Sequence, residues 1–166
     1  MLKALLFGLT ILSLVTGEAH SLTITNDPGG RIGAYADRYA LIRNSNERVV
    51  IDGVCASACT LVLGLVPHER ICATARAKLG FHQAFDMARA SSNTKSVVLV
   101  PSTEATQLLM RIYPEPIRRW IETRHGLPPP NRILWLEGKA LAHLVPKCGT
   151  GIGTLPPQNF NWRGLY

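Results

Sequence analysis

Strand-like and helix-like segments alternate along the first half of this chain, and a turn rich in glycine or small residues separates each strand from the helix that follows it. "LTITN" (22–26) alternates and is rich in β-branched residues, which predicts a strand. "DPGG" (27–30) is a strong turn signal, and "IGAYADRYALIRN" (32–44) then carries apolar residues at helical spacing. These are Ile32, Tyr35, Ala36, Tyr39 and Ile42. The first segment therefore predicts a strand followed by an amphipathic helix.

The second segment has the same order. "RVVIDG" (48–53) predicts a strand, and "CASACTLVLGL" (55–65) predicts a buried helix after the glycine turn. "RICATA" (70–75) and "AKLGFHQ" (77–83) predict short strands. Alternation of this kind is typical of an α/β domain with mostly parallel strands.

The rest of the chain is less regular. We expect, in order, a polar loop at 86–96, helices at 102–113 and 115–126, a stiff proline linker at 127–131, a short apolar piece, a helix and a last strand "HLVPK" within 132–148, and an irregular tail at 151–166. Ser102 or Thr103 is expected to cap the first of these helices.

The first 21 residues have the features of a secretory signal. Lys3 supplies a positive charge, "ALLFGLTILSLV" is too short to span a membrane comfortably, and small residues allow cleavage after Ala19 or Ser21. A secreted or periplasmic location follows from this, and it permits disulfides. The four cysteines Cys55, Cys59, Cys72 and Cys148 allow three full pairings, between which their positions do not choose.

Charge and length limit the function classes. The 166 residues suffice for one domain. The net charge of +7 comes from scattered basic residues with no basic run among aromatic ones, which argues against a nucleic-acid partner. No stretch after residue 21 is apolar and long enough to span a membrane.

Ser57 lies at the predicted strand-to-helix turn of "DGVCASACTLVLG". Read alone, it is a small residue that packs a helix against a sheet. A nucleophilic serine needs a base and oxyanion donors, and His82 and the glycine turn Gly29–Gly30 supply candidates. Lys95 is a weaker candidate base. A zinc site of cysteines with His82 is disfavoured, because the usual short-spaced ligand pairs are missing and export favours disulfides.

Three motifs, "NDPGGR", "DGVCASAC" and "LGFHQA", occur in this order. Together they resemble the Clp protease proteolytic subunit within the ClpP/crotonase superfamily, and more narrowly the secreted single-domain ClpP-like proteins of bacteria. The resemblance covers residues 22–85, and 127–147 more loosely. It implies a repeated β-α-β spiral with mostly parallel strands over 22–150, with a handle-like helical insert at 86–126.

The resemblance also implies roles for particular residues. Ser57 would be the nucleophile, His82 the general base, Gly30 and Ala58 the oxyanion-hole amides, and Gly29 with Gly30 a substrate-binding turn. Asn131 stands where the family has an aspartate. An asparagine can fix the tautomer of a histidine but cannot stabilise an imidazolium by charge. Glu137 and Glu122 are weaker alternatives for that role.

The function implied is an exported serine peptidase that needs no cofactor or metal and acts on a peptide or protein substrate. A catalytically weak module that binds peptides or assembles with envelope partners is the alternative. Export argues against crotonase-like acyl-CoA chemistry and against an ATPase partner, and the oligomeric state stays open. For the disulfides, the resemblance makes Cys72 and Cys148 neighbours, and Cys59 with Cys72 is the other option.

Overall fold

Seven strands and five α-helices make up the part of the chain that the computed structural model describes, residues 21–90 and 96–149. The strands are β1 (Ser21–Asp27), β2 (Arg48–Ala56), β3 (Ile71–Ala73), β4 (Lys78–Phe81), β5 (Phe85–Arg89), β6 (Val97–Pro101) and β7 (Leu134–Glu137). The α-helices are α1 (Ile32–Asn44), α2 (Val62–Leu65), α3 (Thr103–Ile112), α4 (Glu115–Glu122) and α5 (Gly138–Leu144), and short 3₁₀ helices cover Ser57–Leu61 and His68–Arg70.

Strand β2 is the centre of the main sheet. β1 runs parallel to it along one edge, and β3 and then β4 run parallel along the other edge. β7 pairs antiparallel with β4 and closes that side. The described residues therefore form an α/β unit with a mostly parallel sheet, which confirms the fold class predicted from the alternation of strands and helices.

Helix α1 occupies the range that its periodicity predicts. Tyr39 and Ile42 from the apolar stripe are buried, while Ile32 and Tyr35 pack against the core from its margin. Gly53 lets β1 approach β2 closely, since a Cβ there would lie 1.9 Å from the carbonyl oxygen of Thr25. The apolar side of α1 packs against the 3₁₀ helix Ser57–Leu61 and against α2.

The segment predicted as one buried helix at 55–65 is divided. Cys55 and Ala56 still belong to β2, where they pair with Leu79 and Gly80 of β4. The chain then turns through the 3₁₀ helix into the short helix α2. The prediction was wrong at its first two residues because strand pairing with β4, a long-range contact, extends β2 beyond the glycine.

The segment predicted as a polar loop at 86–96 contains a strand instead. β5 and β6 pair antiparallel as a hairpin, from Phe85 opposite Pro101 to Arg89 opposite Val97. All of β6 is exposed, and Met87 of β5 is 76% exposed. The insert expected to be helical therefore begins with a hairpin and becomes helical only at α3, whose first turn Ser102 caps as expected by accepting a hydrogen bond from the Ala105 N–H.

The last strand predicted at 143–147 is replaced by the end of α5 and a single parallel bridge. α5 continues to Leu144, and only Lys147 forms a bridge, with Ala73 at the end of β3. Pro146 contributes to the shortness of this pairing because it has no N–H to donate, although its carbonyl accepts from the Ala73 N–H at 2.8 Å.

The four cysteines form two disulfides. Cys72 pairs with Cys148, as the family resemblance implied, with Cα atoms 4.9 Å apart. Cys55 pairs with Cys59, with Cα atoms 5.3 Å apart, so the alternative pairing of Cys59 with Cys72 is wrong. The disulfides are compatible with an oxidising, extracytoplasmic compartment.

Residues 1–20 of the predicted signal and the tail 151–166 lie outside the described residues. Within residues 21–90 and 96–149, none of the helices is long and apolar enough to cross a bilayer.

Candidate active site at the carboxyl ends of β1, β2 and β4

The strand register brings the three sequence motifs to one edge of the sheet. Asp27 at the end of β1 lies opposite Cys55, and Ala56 at the end of β2 lies opposite Gly80. Ser57 follows directly after β2, so it lies beside the "DPGG" turn that follows β1. On its other side lies the end of β4, which His82 follows directly. The carboxyl ends of parallel strands are where α/β sheets bind ligands.

Ser57 has a backbone conformation that a non-glycine residue rarely adopts. Its φ is +55°, in the left-handed region. It is half-buried, whereas its neighbours Ala56 and Ala58 are buried. A strained serine at a strand-to-helix turn is also the local geometry of the nucleophile in α/β hydrolases, where the turn presents the hydroxyl at the top of the sheet.

Several contacts hold Ser57 in this conformation. The Cys55–Cys59 disulfide ties together the residues two before and two after it. Thr60 donates from Oγ1 to the Ser57 carbonyl at 2.6 Å, and the same Oγ1 lies 2.6 Å from the hydroxyl of Tyr113. Both Thr60 and Tyr113 are buried. A strained backbone conformation persists only where the surrounding structure enforces it. Here a disulfide and the buried side chains of Thr60 and Tyr113 enforce it.

Burial also perturbs the tyrosines around this turn. It raises the pKa of Tyr113 to about 12, against a lesser opposing effect of the hydrogen bond with Thr60. Burial likewise raises the pKa of Tyr39, whose hydroxyl donates to the Cys59 carbonyl at 2.9 Å. Both phenols stay neutral at ordinary pH and serve as fixed hydrogen-bonding partners of the turn.

The glycine turn packs directly on Ser57. Gly29 has a φ of +86°, and a Cβ there would lie 2.5 Å from the Ala56 carbonyl oxygen and 2.6 Å from the Ser57 Cβ. It would also lie 2.8 Å from the amide nitrogen of Ala58. Only glycine permits both this conformation and this approach.

Asp27 fixes the shape of that turn. Its Oδ1 accepts from the Gly29 N–H at 2.9 Å and from the hydroxyl of Tyr35, and Oδ2 lies 3.5 Å from Nη1 of Arg38. Burial first, and then the bond to Asp27, raises the pKa of Tyr35 to about 12. The Tyr35 ring also lies beside Gly30, with Cε2 3.4 Å from where a Cβ would lie.

Two main-chain amides at this edge have no acceptor within the described residues. Among residues 21–90 and 96–149, neither the Gly30 N–H nor the Ala58 N–H has a hydrogen-bond acceptor. Amides of this kind stabilise developing negative charge when they point at the reacting oxygen. The sequence named both residues, and the contact of Gly29 with Ala58 brings their turns together.

His82 is half-buried just beyond β4. Its Nδ1 lies 2.8 Å from the carbonyl oxygen of Gln83, and its ring lies against Phe85 with centroids 5.6 Å apart. Gln83 is itself anchored, because its N–H donates to Pro128 at 2.9 Å and its Nε2 donates to Leu127 at 3.1 Å. Within the described part of the chain, no hydrogen bond joins the Ser57 hydroxyl to Nε2 of His82.

The residues considered for orienting His82 are placed differently. Asn131 is exposed in the turn before β7, and its side chain makes no hydrogen bond with any described residue. Glu137 pairs instead with Lys78 at 2.9 Å, and Glu122 is exposed at the end of α4. Lys95 lies outside the described residues. The orienting role of Asn131 stays a prediction.

The described residues contain no group of three or more histidines, cysteines and carboxylates that could hold a metal ion. No protein-family model matches this chain, and no curated protein does.

Several residues of the site were not singled out by sequence reasoning. Asp27 had a readable signal, because an aspartate before Pro-Gly-Gly commonly accepts from the backbone two residues on. Thr60 and Tyr113 had none, since they are 53 residues apart and meet only in the folded chain.

Proposed function

We propose that this chain is an exported serine hydrolase of the ClpP-like type that cleaves peptide bonds, and that its sheet is part of a ClpP/crotonase-like β-α-β spiral. The observation that carries the proposal is the conformation of Ser57, which is held in the left-handed region against Gly29 at the sheet edge that also bears His82. The choice of peptide bonds rests on the resemblance of the three motifs to that family.

In the proposed reaction, Oγ of Ser57 attacks the scissile carbonyl carbon while Nε2 of His82 takes the hydroxyl proton. The carbonyl oxygen becomes an oxyanion held by the Gly30 and Ala58 amides. The C–N bond then breaks, and His82 returns the proton to the leaving amine. Water, deprotonated by His82 in turn, attacks the carbonyl carbon of the acyl-enzyme. The ester bond to Oγ of Ser57 then breaks, the acid leaves, and His82 returns the proton to Oγ.

The magnitudes expected of these groups are large. Loss of one oxyanion donor costs about 10²–10³ in rate, and a positioned general base contributes about 10²–10⁴. In serine proteases, asparagine in place of the triad aspartate costs about 10⁴. A site without a carboxylate beside His82 is therefore expected to turn over slowly.

Covalent labelling of the nucleophile tests the proposal even if substrate turnover is slow. A fluorophosphonate probe should label the purified chain at Ser57, and Ser57→Ala and His82→Ala should each abolish labelling. Ser96→Ala removes an exposed serine away from the sheet edge and is the matched control, which should label like the parent. Absence of labelling over a range of pH would refute the hydrolase.

A module that binds peptides without cleaving them is the second candidate. It is favoured by the exposed Asn131 in the predicted aspartate position and by the lack of a hydrogen bond between Ser57 and His82 in the described chain. Peptide affinity that survives Ser57→Ala, without turnover or labelling in the parent, would support this function.

A further inference from the structure

We infer that the main-chain carbonyl of Gln83 orients His82 for catalysis, in the role that the family resemblance gives to a carboxylate and, in this chain, to Asn131. The inference rests on the proposed function for its catalytic meaning. It concerns the carbonyl 2.8 Å from Nδ1 of His82, an atom that no side-chain motif reveals.

The tautomer of His82 follows from this contact. A main-chain carbonyl can only accept a hydrogen bond, so Nδ1 must carry the proton that it receives. In the neutral ring Nε2 then has a free lone pair, which is the atom a general base uses on a serine hydroxyl. The carbonyl thus sets the tautomer without any side-chain acceptor.

Three hydrogen bonds hold Gln83 and the peptide unit that carries its carbonyl. The N–H of that unit, from Ala84, donates to Oγ1 of Thr106 at 3.0 Å. The Gln83 N–H donates to the Pro128 carbonyl at 2.9 Å, and the side-chain Nε2 donates to the Leu127 carbonyl at 3.1 Å. Leu127 is buried. Gln83 is therefore a positioning residue, since its side chain helps to hold the residue whose carbonyl faces His82.

Phe85 supports the ring from another direction. Its centroid lies 5.6 Å from that of His82, with the planes 34° apart. With Nδ1 bonded and one side of the ring near Phe85, rotation of the imidazole about its side-chain torsions is restricted. A carbonyl stabilises an imidazolium less than a carboxylate does, so the inference also accounts for a working but slow base.

Nitrogen NMR of the full chain tests the inference directly. With histidines labelled with ¹⁵N and His82 assigned through His82→Ala, the neutral ring should show a protonated Nδ1 and an unprotonated Nε2. Gln83→Met removes the donor to Leu127 while keeping side-chain length. It should lower the population of this tautomer and slow fluorophosphonate labelling of Ser57 by about tenfold or more.

The matched control is Ser96→Ala, which should leave both the tautomer and the labelling rate unchanged. Asn131→Ala distinguishes the two acceptors, because it changes the tautomer only if Asn131 orients the ring. Gln83→Glu serves as a second variant should Gln83→Met fold poorly. The inference is overturned if the parent carries its proton on Nε2, or if Asn131→Ala changes the tautomer while the Gln83 variants do not. A protonated Nδ1 without labelling of Ser57 would support the orientation of His82 by the Gln83 carbonyl and would refute the proposed hydrolase function.

Discussion

Removing the Cys72–Cys148 disulfide should cost more stability than any other single change to the described fold that leaves the core intact. The bond joins the middle of β3 to the segment after α5, across a sequence separation of 76 residues. Cross-linking a loop of that length removes about 15 cal/mol/K of entropy from the unfolded chain, or about 4.5 kcal/mol at room temperature. The Cys55–Cys59 loop, with a separation of 4, corresponds to only about 2 kcal/mol.

The assay is urea unfolding of Cys72→Ala/Cys148→Ala, followed by tryptophan fluorescence. With a slope of about 2 kcal/mol per molar urea, the midpoint should fall by about 2 M. Both cysteines are only half-buried, so lost packing adds little to the loop effect. A loss below about 2 kcal/mol would refute the reasoning, because the long loop would then constrain the unfolded chain no more than the short one should.

The matched variant, Cys55→Ala/Cys59→Ala, separates stability from function. It removes the disulfide that spans Ser57, so fluorophosphonate labelling should slow markedly. The loss of stability from loop closure should stay small, because the loop is short. Cys72→Ala/Cys148→Ala lies away from the serine and should label at the parent rate under folding conditions. If the two variants label alike, the disulfide around Ser57 does not hold the proposed nucleophile.

Three further predictions concern single residues. Ser57→Gly should abolish labelling yet raise the free energy of unfolding by about 1 kcal/mol, since glycine adopts a φ of +55° without strain; an unchanged or lower stability would contradict this. Gly29→Ala should lower stability by about 2 kcal/mol or more and stop labelling, because its Cβ would meet the Ala56 carbonyl at 2.5 Å; a fully active, stable variant would be decisive against the packing described. Asp52→Asn should be less stable than the parent near neutral pH, and the difference should shrink as the pH falls below about 4.

The sign of the Asp52 effect follows from its partners. Hydrogen bonds from Thr74 and then Arg76 hold the pKa of Asp52 below its ordinary value. Because the folded chain holds this proton less tightly than the unfolded chain, the carboxylate stabilises the fold above the ordinary pKa. That contribution is lost as the pH falls toward the folded value. Urea midpoints measured between neutral and acid pH decide it.

How far the sequence predicts this fold depends on how local the determining contacts are. The bounds of α1 were predicted because its period lies within 13 residues, and β1 because alternation is visible in a single strand. The hairpin of β5 and β6 was missed because "DMARASSNTKS" reads as polar, and only pairing with Val97–Pro101 makes its first residues a strand.

The site shows the same division. Ser57, His82 and the glycine turn were predicted as site residues from the resemblance of three ordered motifs to a known family, and the register places them at one sheet edge. The groups that hold them were not, because Thr60 meets Tyr113 only through tertiary packing. The partner of His82 is a main-chain carbonyl, which is the same in every residue type and so leaves no trace in a sequence.

The exposed hairpin of β5 and β6 has a consequence for local opening. Two strands with solvent on both sides gain little from burial, and an isolated hairpin is marginal in water. Its amide protons should therefore exchange with solvent at a free-energy cost far below that of global unfolding. Phe85 is the first residue of this hairpin and lies against the His82 ring, so each opening of β5 would also release one constraint on the imidazole.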